Sequence, residues 1–191
     1  MKQDDEDLLK QFYEDIGCDR NISYLYNKQY KKYYAFVYVQ HPHLSNTLIK
    51  QGVMQDKSFK IRFPNNNIVP EKLLRHFIRG YFDGDGGISK AHPYHKISYS
   101  ITGNYEFIDE MRRYISKEIG NNVPMQKSNG SNVYILAQGG TNVVQTFLDW
   151  IYKDSTIYMK RKHDLYIELL KYNKEKRYGK NKTNQTNSRP A

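Results

Sequence analysis

The spacing of apolar residues along the chain predicts a protein of mixed helices and strands. Six stretches place apolar residues three or four positions apart, which predicts amphipathic helices. Six shorter stretches, rich in tyrosine, isoleucine and valine and bounded by glycine, asparagine or proline, predict paired strands. The predicted helices are 5–17, 42–53, 70–82, 104–120, 141–152 and 159–172, and the predicted strands are 21–29, 32–40, 87–93, 96–103, 123–130 and 131–138.

One helix–hairpin–helix unit occurs twice in this order. The helix at 6–17, the hairpin that ends in AFVYVQ and the helix after it correspond to the helix at 107–120, the hairpin that ends in VYILAQ and its following helix. Gly17 matches Gly120, and Gln40 matches Gln138. The second copy has an additional helix and hairpin in front of it, beginning at Pro70, whereas the first copy has no such front end.

The charge balance favours an anionic partner. The formal net charge is +10 over 191 residues and the pI is about 9.4. Such a surplus favours a nucleic acid or an anionic membrane surface, although a basic protein without any such partner would have the same composition. The single cysteine, Cys18, excludes an internal disulfide and a zinc site built from cysteine pairs. Because the sequence has neither a signal-peptide pattern nor an apolar run of about 18 residues, we expect a cytoplasmic protein without a membrane span.

The stretch FIRGYFDGDGGI, residues 77–88, ends the third predicted helix. Gly80 and Gly84 are four apart and share one helix face, where small residues allow another backbone to approach closely. Asp83 and Asp85 follow at the point where the helix carbonyls already carry partial negative charge, so a cation is expected there. Terminal carbonyls and a carboxylate are hard oxygen ligands that suit Mg²⁺, and we expect Asp85 to bind the metal and Asp83 to cap the local turn.

Other interpretations of this stretch are a calcium-binding loop and a plain glycine-rich turn. A calcium loop needs an acidic residue at its twelfth position, and counting from Asp83 that residue is Tyr94, which excludes the loop. The glycine-rich turn with aspartates stays open as an alternative. Two histidine pairs lack a third metal ligand nearby in the sequence and are interpreted as turn or surface residues: His41 with His43, and His92 with His95.

The same stretch resembles the signature of the LAGLIDADG homing endonucleases. The signature glycine falls at Gly80, the two acids at Asp83 and Asp85, and the closing glycine at Gly86. The flanking sequences IVPEKLLRHFIRGYFDGDG and YKDSTIYMKRKHDLY resemble freestanding double-motif members from phages and mobile elements, and the resemblance extends over residues 4–172. It implies an α+β fold of αββαββα repeats with a saddle-shaped antiparallel sheet on the DNA major groove. It also implies site-specific cleavage of double-stranded DNA by Mg²⁺- or Mn²⁺-dependent phosphodiester hydrolysis.

The resemblance assigns roles to individual residues. It implies Asp85 as the catalytic metal ligand, the carbonyl of Gly84 as a further metal ligand, and Lys57 and Lys162 as basic catalytic residues. The helix-packing motif comprises Gly80, Asp83, Gly84 and Gly86. Basic and polar residues of the predicted hairpins are candidates for contacts to DNA phosphates or base edges, with a solvated sheet surface as the alternative for each. They are Lys28, Lys31, Lys32, Lys90, Lys96, Gln126 and Lys127.

The chain departs from the double-motif pattern because the signature occurs once. We interpret residues 1–69 as a partial first repeat, without its motif helix, and its connection, and residues 70–172 as a complete second repeat. Residues 173–191 form a basic, polar tail that we expect to be disordered or to become ordered only on binding.

A single motif leaves the activity and the assembly open. A homodimer through the motif helix would bring two Asp85 carboxylates together, whereas one copy alone would cut DNA weakly or not at all. The alternative functions are a non-catalytic DNA-binding protein, an RNA-binding maturase-like or regulator-like protein, and a structural RNA-binding protein.

Overall fold

The computed structural model describes residues 1–54, 60–90, 97–129 and 131–186, with side chains as far as Arg177. A short 3₁₀ turn at Gln3–Asp5 opens the chain. The α-helices are α1 (Asp7–Asp15), α2 (Pro42–Lys50), α3 (Glu71–Asp85), α4 (Tyr105–Ile119), α5 (Thr141–Tyr152) and α6 (Lys160–Thr186). In the described parts of the chain, no helix combines the length and the apolar character that crossing a bilayer requires.

The strands form two antiparallel sheets. Strands β1 (Ser23–Asn27) and β2 (Lys32–Phe36) pair as an isolated hairpin, with Ser23 opposite Phe36. The other four strands are β3 (Gly86–Ser89), β4 (Ser98–Gly103), β5 (Met125–Lys127) and β6 (Tyr134–Gly139), and they lie in the order β3-β4-β6-β5. The order α3-β3-β4-α4-β5-β6-α5 is the predicted αββαββα arrangement, so the expected α+β fold class is confirmed.

The helix–hairpin–helix unit also occurs twice in the structure. Helix α1, the β1–β2 hairpin and α2 correspond to α4, the β5–β6 hairpin and α5. Gly17 follows α1 with a φ of 64° and Gly120 follows α4 with a φ of 65°, so both helices end in the left-handed conformation that glycine adopts without steric cost. At the other end of α4, Asn104 caps the helix as predicted, because its side-chain oxygen accepts a hydrogen bond from the Phe107 amide.

The core lies between the four-stranded sheet and helices α3, α4 and α5. Strand residues alternate in direction, so Tyr99 and Ile101 of β4 are buried against the helices while their neighbours point to the opposite face. The Tyr99 ring stacks on Phe147 of α5 with ring centres 3.9 Å apart. Each buried aromatic or aliphatic side chain contributes about 1.5–3 kcal/mol through removal of apolar surface from water. The fully buried helix residues in this core include Ile78, Phe82, Phe107, Ile108, Met111, Ile115, Val144, Phe147, Leu148 and Ile151.

The residues on the opposite face of this sheet are half-buried or exposed, and we call it the open face. The strand register places on it small and polar residues of all four strands. They are Gly87, Ser89, Ser98, Ser100, Thr102, Gln126 and Ala137, and the apolar Ile135 lies on the same face. A sheet covered on one side and polar on the other has one surface available for a polar partner.

Residues 1–54, which we call the N-terminal unit, are thinly packed. Within this stretch Tyr13 and Ala35 are the buried hydrophobic residues, and α2 buries none of its side chains. Leu25 is 65% exposed and Ile49 is 64% exposed. The unit is joined to the rest of the protein by an ion pair in which Arg161 Nε lies 3.1 Å from both oxygens of the buried Asp5 carboxylate.

The C-terminal tail differs from the expectation of disorder from Asn173 onward. Helix α6 continues to Thr186. Asn173 is buried, and its amide donates to Gln145 Oε1 at 2.6 Å, which holds this turn of α6 against α5. A helix that is already nucleated and anchored can add residues at little cost, which composition alone does not reveal.

Candidate functional site at the end of helix α3

Helix α3 has three distinct faces. Its first face is apolar and buried: Leu74, Ile78 and Phe82 recur four residues apart and fill the core under the sheet. Phe82 packs edge-on against Phe147 of α5, with ring centres 5.3 Å apart. This face fixes the position of the helix relative to the sheet.

The second face is polar and holds the segment that links α5 to α6. Arg75 pairs with Asp154 at 3.7 Å, and the Nε of Arg79 donates to the carbonyl of Ile157 at 3.0 Å. Asp83 is four residues further along the same face, and its carboxylate accepts a hydrogen bond from the Met159 amide just before α6. This face therefore attaches the linking segment along the length of the helix.

The third face of α3 is exposed to solvent. Leu73 is 45% exposed, and a side chain built on Gly80 or Gly84 would meet nothing within 4 Å. The two glycines predict that another backbone packs closely against this face. None of the described residues does so. Because the two glycines are exposed, the N-terminal unit does not cover this face.

Gly86, which ends the signature, is required for a different reason. A side chain at this position would lie 2.3 Å from the Phe82 ring and 2.6 Å from the Phe82 carbonyl oxygen. Glycine therefore allows the chain to turn directly from α3 into strand β3 while passing over the last turn of the helix.

The cation at the end of α3 is supplied by Lys162. This side chain is 1% exposed, and its ammonium donates to the carbonyls of Phe82 at 2.5 Å, Asp83 at 2.9 Å and Gly86 at 2.6 Å. It also lies over the Phe82 ring, 4.8 Å from the ring centre. Carbonyls at a helix C-terminus have no partner within the helix and are stabilised by a positive charge, so Lys162 caps α3 from a distant helix.

The buried position of Lys162 at the end of α3 changes the pKa of its ammonium group. Burial lowers the pKa of Lys162 to about 8, while the negative charge of Asp83 opposes that shift. The three carbonyl acceptors match the three protons of an ammonium group. The position of Lys162 beside the end of the signature agrees with the expected neighbourhood, whereas its catalytic role stays a prediction.

Asp83 does not cap its own turn, which corrects the expectation from the sequence. Its carboxylate is buried and accepts hydrogen bonds from the Tyr152 hydroxyl at 3.1 Å and the Met159 backbone amide at 3.0 Å. Met159 immediately precedes α6, so the carboxylate binds at the positive end of that helix. Burial raises the pKa of Asp83, and the hydrogen bonds from Met159 and Tyr152 act in the opposite direction. Asp83 therefore joins the end of α3 to the start of α6.

Asp85 is the last residue of α3 and is exposed to solvent. The nearby Tyr81 hydroxyl donates to the Thr102 carbonyl at 2.8 Å, and burial followed by the negative charge of Asp85 raises the pKa of Tyr81 to about 12. Asp85 is thus held between the capped end of α3 and the first strand of the sheet, at the solvent side of both.

The donor set at Asp85 suits a hard divalent cation that also binds phosphate. The Asp85 carboxylate and the Gly84 carbonyl are oxygen donors, and the Gly84 carbonyl is not among the three that Lys162 occupies. Within the described residues, no group of three acidic, histidine or cysteine side chains is arranged to hold a metal. Mg²⁺ commonly uses one or two carboxylates and completes its shell with water and phosphate oxygens, so these residues fit a cation shared with a nucleic acid.

The candidate DNA-contacting residues fall into different surroundings. Lys28 and Lys31 lie in the exposed turn of the first hairpin, and Lys32 begins β2 with its side chain exposed. Lys90 forms an ion pair with Glu168 at 2.6 Å. The DNA contacts of these residues stay predictions.

Neighbouring residues of β5 point in opposite directions. The register places Gln126 on the open face, opposite Ile135, whereas Lys127 shares its side with Met125 and Tyr134 at the end of the strand. Gln126 is therefore placed with the polar surface of the sheet, and Lys127 at its margin.

Some assigned residues lie outside the part of the chain that the structure describes. They are Lys57, Lys96, His92 and His95. The other histidine pair, His41 and His43, is exposed at the start of α2, where His41 Nδ1 accepts a hydrogen bond from the Leu44 amide at 3.4 Å. That contact agrees with the interpretation of this pair as turn residues.

Three contacts in this site could not be predicted from the sequence. Tyr152 and the Met159 amide bind Asp83 from 69 and 76 residues away, and Asp5 pairs with Arg161 next to the capping lysine. Only the acidic composition of the first residues and the run MKRK indicate charged groups at these places. The partners themselves are set by tertiary packing.

Two solved structures of a homing endonuclease with DNA share the fold. The structure of the I-SmaMI LAGLIDADG homing endonuclease bound to cleaved DNA aligns with a TM-score of 0.57 and 11% identity over 90% of this chain and 75% of that chain. Meganuclease I-SmaMI bound to uncleaveable DNA with a TTCT central four aligns with the same TM-score and identity, over 90% of this chain and 76% of that chain. No curated protein sequence matches the chain significantly. At this identity the alignments establish the fold.

The sequence itself matches a family over the region that contains the site. The match is to the LAGLIDADG-like domain and spans residues 72–178, more than half of the 191-residue chain. It begins at the start of α3, includes Asp83, Asp85 and Lys162, and ends within α6. The chain therefore belongs to the LAGLIDADG-like domain family.

Proposed function

We propose that this protein is a site-specific endonuclease that hydrolyses phosphodiester bonds of double-stranded DNA with Mg²⁺ or Mn²⁺. The observation that carries the proposal is the exposed Asp85 carboxylate at the end of a helix that Lys162 and Asp83 hold in place. A rigid, solvent-facing carboxylate at this position of the family signature suits the binding of a cation at a scissile phosphate. The I-SmaMI structures contain DNA, which supports a duplex substrate.

The residues of the site have separate tasks in this proposal. Asp85 and the Gly84 carbonyl would hold the cation, which would supply charge stabilisation at the phosphate and lower the pKa of a water molecule. Lys162 and Asp83 position the Asp85 carboxylate through the backbone at the end of α3. The open face of the sheet and the basic first hairpin bind the duplex, so that the scissile phosphate lies at the end of the helix.

The first test of the proposal is the salt dependence of duplex binding. The net charge of +10 and the exposed Lys28, Lys31 and Lys32 favour contacts to several phosphates. Each neutralised phosphate contributes about 0.9 to the slope of log affinity against log salt. We expect a slope of several units for the wild-type protein, measured by fluorescence anisotropy with a labelled duplex.

A charge-matched pair of variants separates specific contacts from overall charge. Replacing Lys28, Lys31 and Lys32 by glutamine should make the slope shallower by about 2–3 units. The control replaces three lysines that already have acidic partners, Lys10, Lys117 and Lys160, which pair with Glu6, Glu71 and Asp164. It lowers the net charge by the same amount and should leave the slope nearly unchanged. A flat salt response of the wild-type protein would remove the DNA proposal.

The uncovered face of helix α3 supports a homodimer as the active assembly. Leu73, Gly80 and Gly84 present an apolar, small-residue surface that the described residues leave uncovered. Two copies meeting through this face would place two Asp85 carboxylates together, as cutting both strands requires. In such a dimer the two α3 helices would pack against each other, because small residues allow the backbones to approach closely.

Replacing Gly80 by leucine tests this assembly. The monomer has room for the side chain, and leucine favours a helix over glycine by about 1 kcal/mol, so the folded monomer should be retained. We expect light scattering of the wild-type protein at tens of micromolar to give about twice the 22.7 kDa chain mass, and the variant to give the chain mass. Lys72→Leu, which adds a side chain of the same type near the exposed start of α3, is the control. A wild-type monomer that makes clean double-strand breaks would contradict the dimer.

A non-catalytic DNA-binding protein is the second candidate function. It is favoured by one observation, that within the described residues the signature supplies a single exposed carboxylate and no cluster of three metal-binding side chains. This candidate gives the same salt-dependent binding but no strand cleavage in the presence of Mg²⁺. The two functions are therefore separated by an activity measurement on a duplex that the protein binds.

A further inference from the structure

The last helix carries a large share of the positive charge of the protein. After Asn173 the sequence contains six basic residues and one acidic residue, Glu175, and so contributes +5 to the formal net charge of +10. The family match ends at residue 178, so three of these basic residues lie inside the matched region and three lie beyond it.

The helix leaves the body of the protein at Asn173. This side chain is buried and donates to Gln145 Oε1 at 2.6 Å and to the Thr141 carbonyl at 3.5 Å. Residues 174–177 are all exposed, yet α6 continues to Thr186. A polar helix of this length without an apolar stripe is marginal in water, so a partner would stabilise it.

A polar cavity lies where the helix leaves the body. It has a volume of about 180 Å³ and is lined by Lys176 and Arg177 of α6 together with Asn173, Thr141 and Asn142. Two cationic and three neutral hydrogen-bonding side chains are the groups that bind phosphate oxygens. Among the described residues, neither Lys176 nor Arg177 forms an ion pair, so their charges are not already offset by an acidic side chain of the fold.

The cavity lies further along α6 than Lys162, which caps the helix that carries Asp85. Lys162 touches Gly86 at the start of β3, and Glu168 touches Lys90 just after β3, so α6 follows this edge strand away from Asp85. From Lys162 to Arg177 a helix rises about 22 Å at 1.5 Å per residue. A duplex rises about 3.4 Å per base pair, so this distance corresponds to about six base pairs.

We infer that Lys176 and Arg177 of the cavity, together with the exposed Lys174 one helical turn before Arg177, form a phosphate clamp that binds the backbone of duplex DNA about six base pairs from the cleavage position. The clamp binds without regard to sequence, because it recognises phosphate groups and reaches no base edge. It rests on the proposed function, since it requires a duplex on the open face of the sheet.

The test compares a triple variant with a charge-matched control on two duplexes. The variant replaces Lys174, Lys176 and Arg177 by glutamine, and the control is the Lys10, Lys117 and Lys160 glutamine variant. The probes are labelled random-sequence duplexes of about 10 and about 40 base pairs, since the shorter one spans roughly 34 Å and cannot occupy the open face and reach well beyond it. Thermal melting checks that each variant is folded, which the exposure of the three residues leads us to expect.

On the longer duplex, we expect the triple variant to have a salt slope shallower by about 2–3 units than the control. On the shorter duplex, we expect this difference to fall below about one unit. A steep wild-type slope with no difference between variant and control on the longer duplex would overturn the clamp while leaving the proposed function intact. A flat wild-type response would instead reject the proposed function.

A second class of anionic partner is tested in parallel. The same proteins are mixed with vesicles of neutral phosphatidylcholine containing phosphatidylserine. Loss of vesicle binding in the triple variant, together with an unchanged DNA slope, would show that the basic helix serves a membrane surface and would overturn the inference.

Discussion

Replacing Asp85 by asparagine is expected to abolish Mg²⁺-dependent strand cleavage while duplex binding survives. The substitution keeps the size of the side chain and removes the charge that binds the cation. A metal ion supplies several kcal/mol of charge stabilisation in phosphoryl transfer, and each 1.4 kcal/mol is a factor of ten in rate. The rate should therefore fall at least about 100-fold, measured as nicking of a supercoiled plasmid that contains a bound sequence.

The neighbouring aspartate provides the matched control. Asp83→Asn makes the same chemical change two residues away. The buried carboxylate of Asp83 accepts hydrogen bonds from the Met159 N–H and the Tyr152 hydroxyl, and the variant places an amide in its position. Loss of these bonds should cost about 1–3 kcal/mol of unfolding free energy, with a smaller effect on binding. The site is misassigned if the Asp85 variant cleaves DNA at the wild-type rate.

Replacing Lys162 by methionine is expected to produce the largest loss of stability among the variants considered. The carbonyls of Phe82, Asp83 and Gly86 would lose their shared donor inside the protein, and the Asp83 carboxylate would lose the favourable charge of Lys162. Breaking such a buried charged contact costs about 3–5 kcal/mol. For a chain of this length that is a fall in melting temperature of roughly 6–20 °C, measured by circular dichroism.

Lys160→Met is the control for this substitution. It changes the same residue type two positions earlier in α6, where the exposed ammonium pairs with Asp164 at 2.6 Å. An exposed pair one helical turn apart contributes little to stability, so this variant should melt close to the wild type. Equal melting temperatures for the two variants would show that Lys162 does not cap α3.

The elements of the fold follow from local sequence because each has a local cause. Helix α4 begins at the side chain of Asn104 and ends at Gly120, and both signals are adjacent to the helix they bound. The duplicated unit is also visible in the sequence, since Gly17 and Gly120 end equivalent helices. The predicted arrangement of helices and hairpins is confirmed for this reason.

The contacts that assemble the site could not be predicted in the same way. The sequence indicates that a cation is needed at the end of α3, and Mg²⁺ is the natural candidate for two nearby aspartates. The structure supplies a cation of the chain itself, Lys162, to the helix carbonyls, about 80 residues away in sequence. Only Asp85 stays exposed, so the two aspartates separate into a structural and a metal-binding candidate.

Tertiary anchoring also explains the difference at the C-terminus. The composition of residues 173–191 is that of a disordered segment, and composition contains no information on what precedes it. Asn173 is buried against α5, so the helix that ends the family domain is already formed where the basic segment begins. The order of the first turns of this segment is therefore inherited from the packing of α6.

The most direct measurement of the central claim is strand cleavage in duplexes that the wild-type protein itself selects from a randomised library. The selected duplexes are incubated with the protein in Mg²⁺ or in EDTA, and the positions of the cuts are mapped on both strands. The account predicts Mg²⁺-dependent cuts at one defined position within the bound sequence, and none with the Asp85→Asn protein. Tight selection of a sequence that is never cut in Mg²⁺ would contradict the account and assign the fold to DNA binding alone.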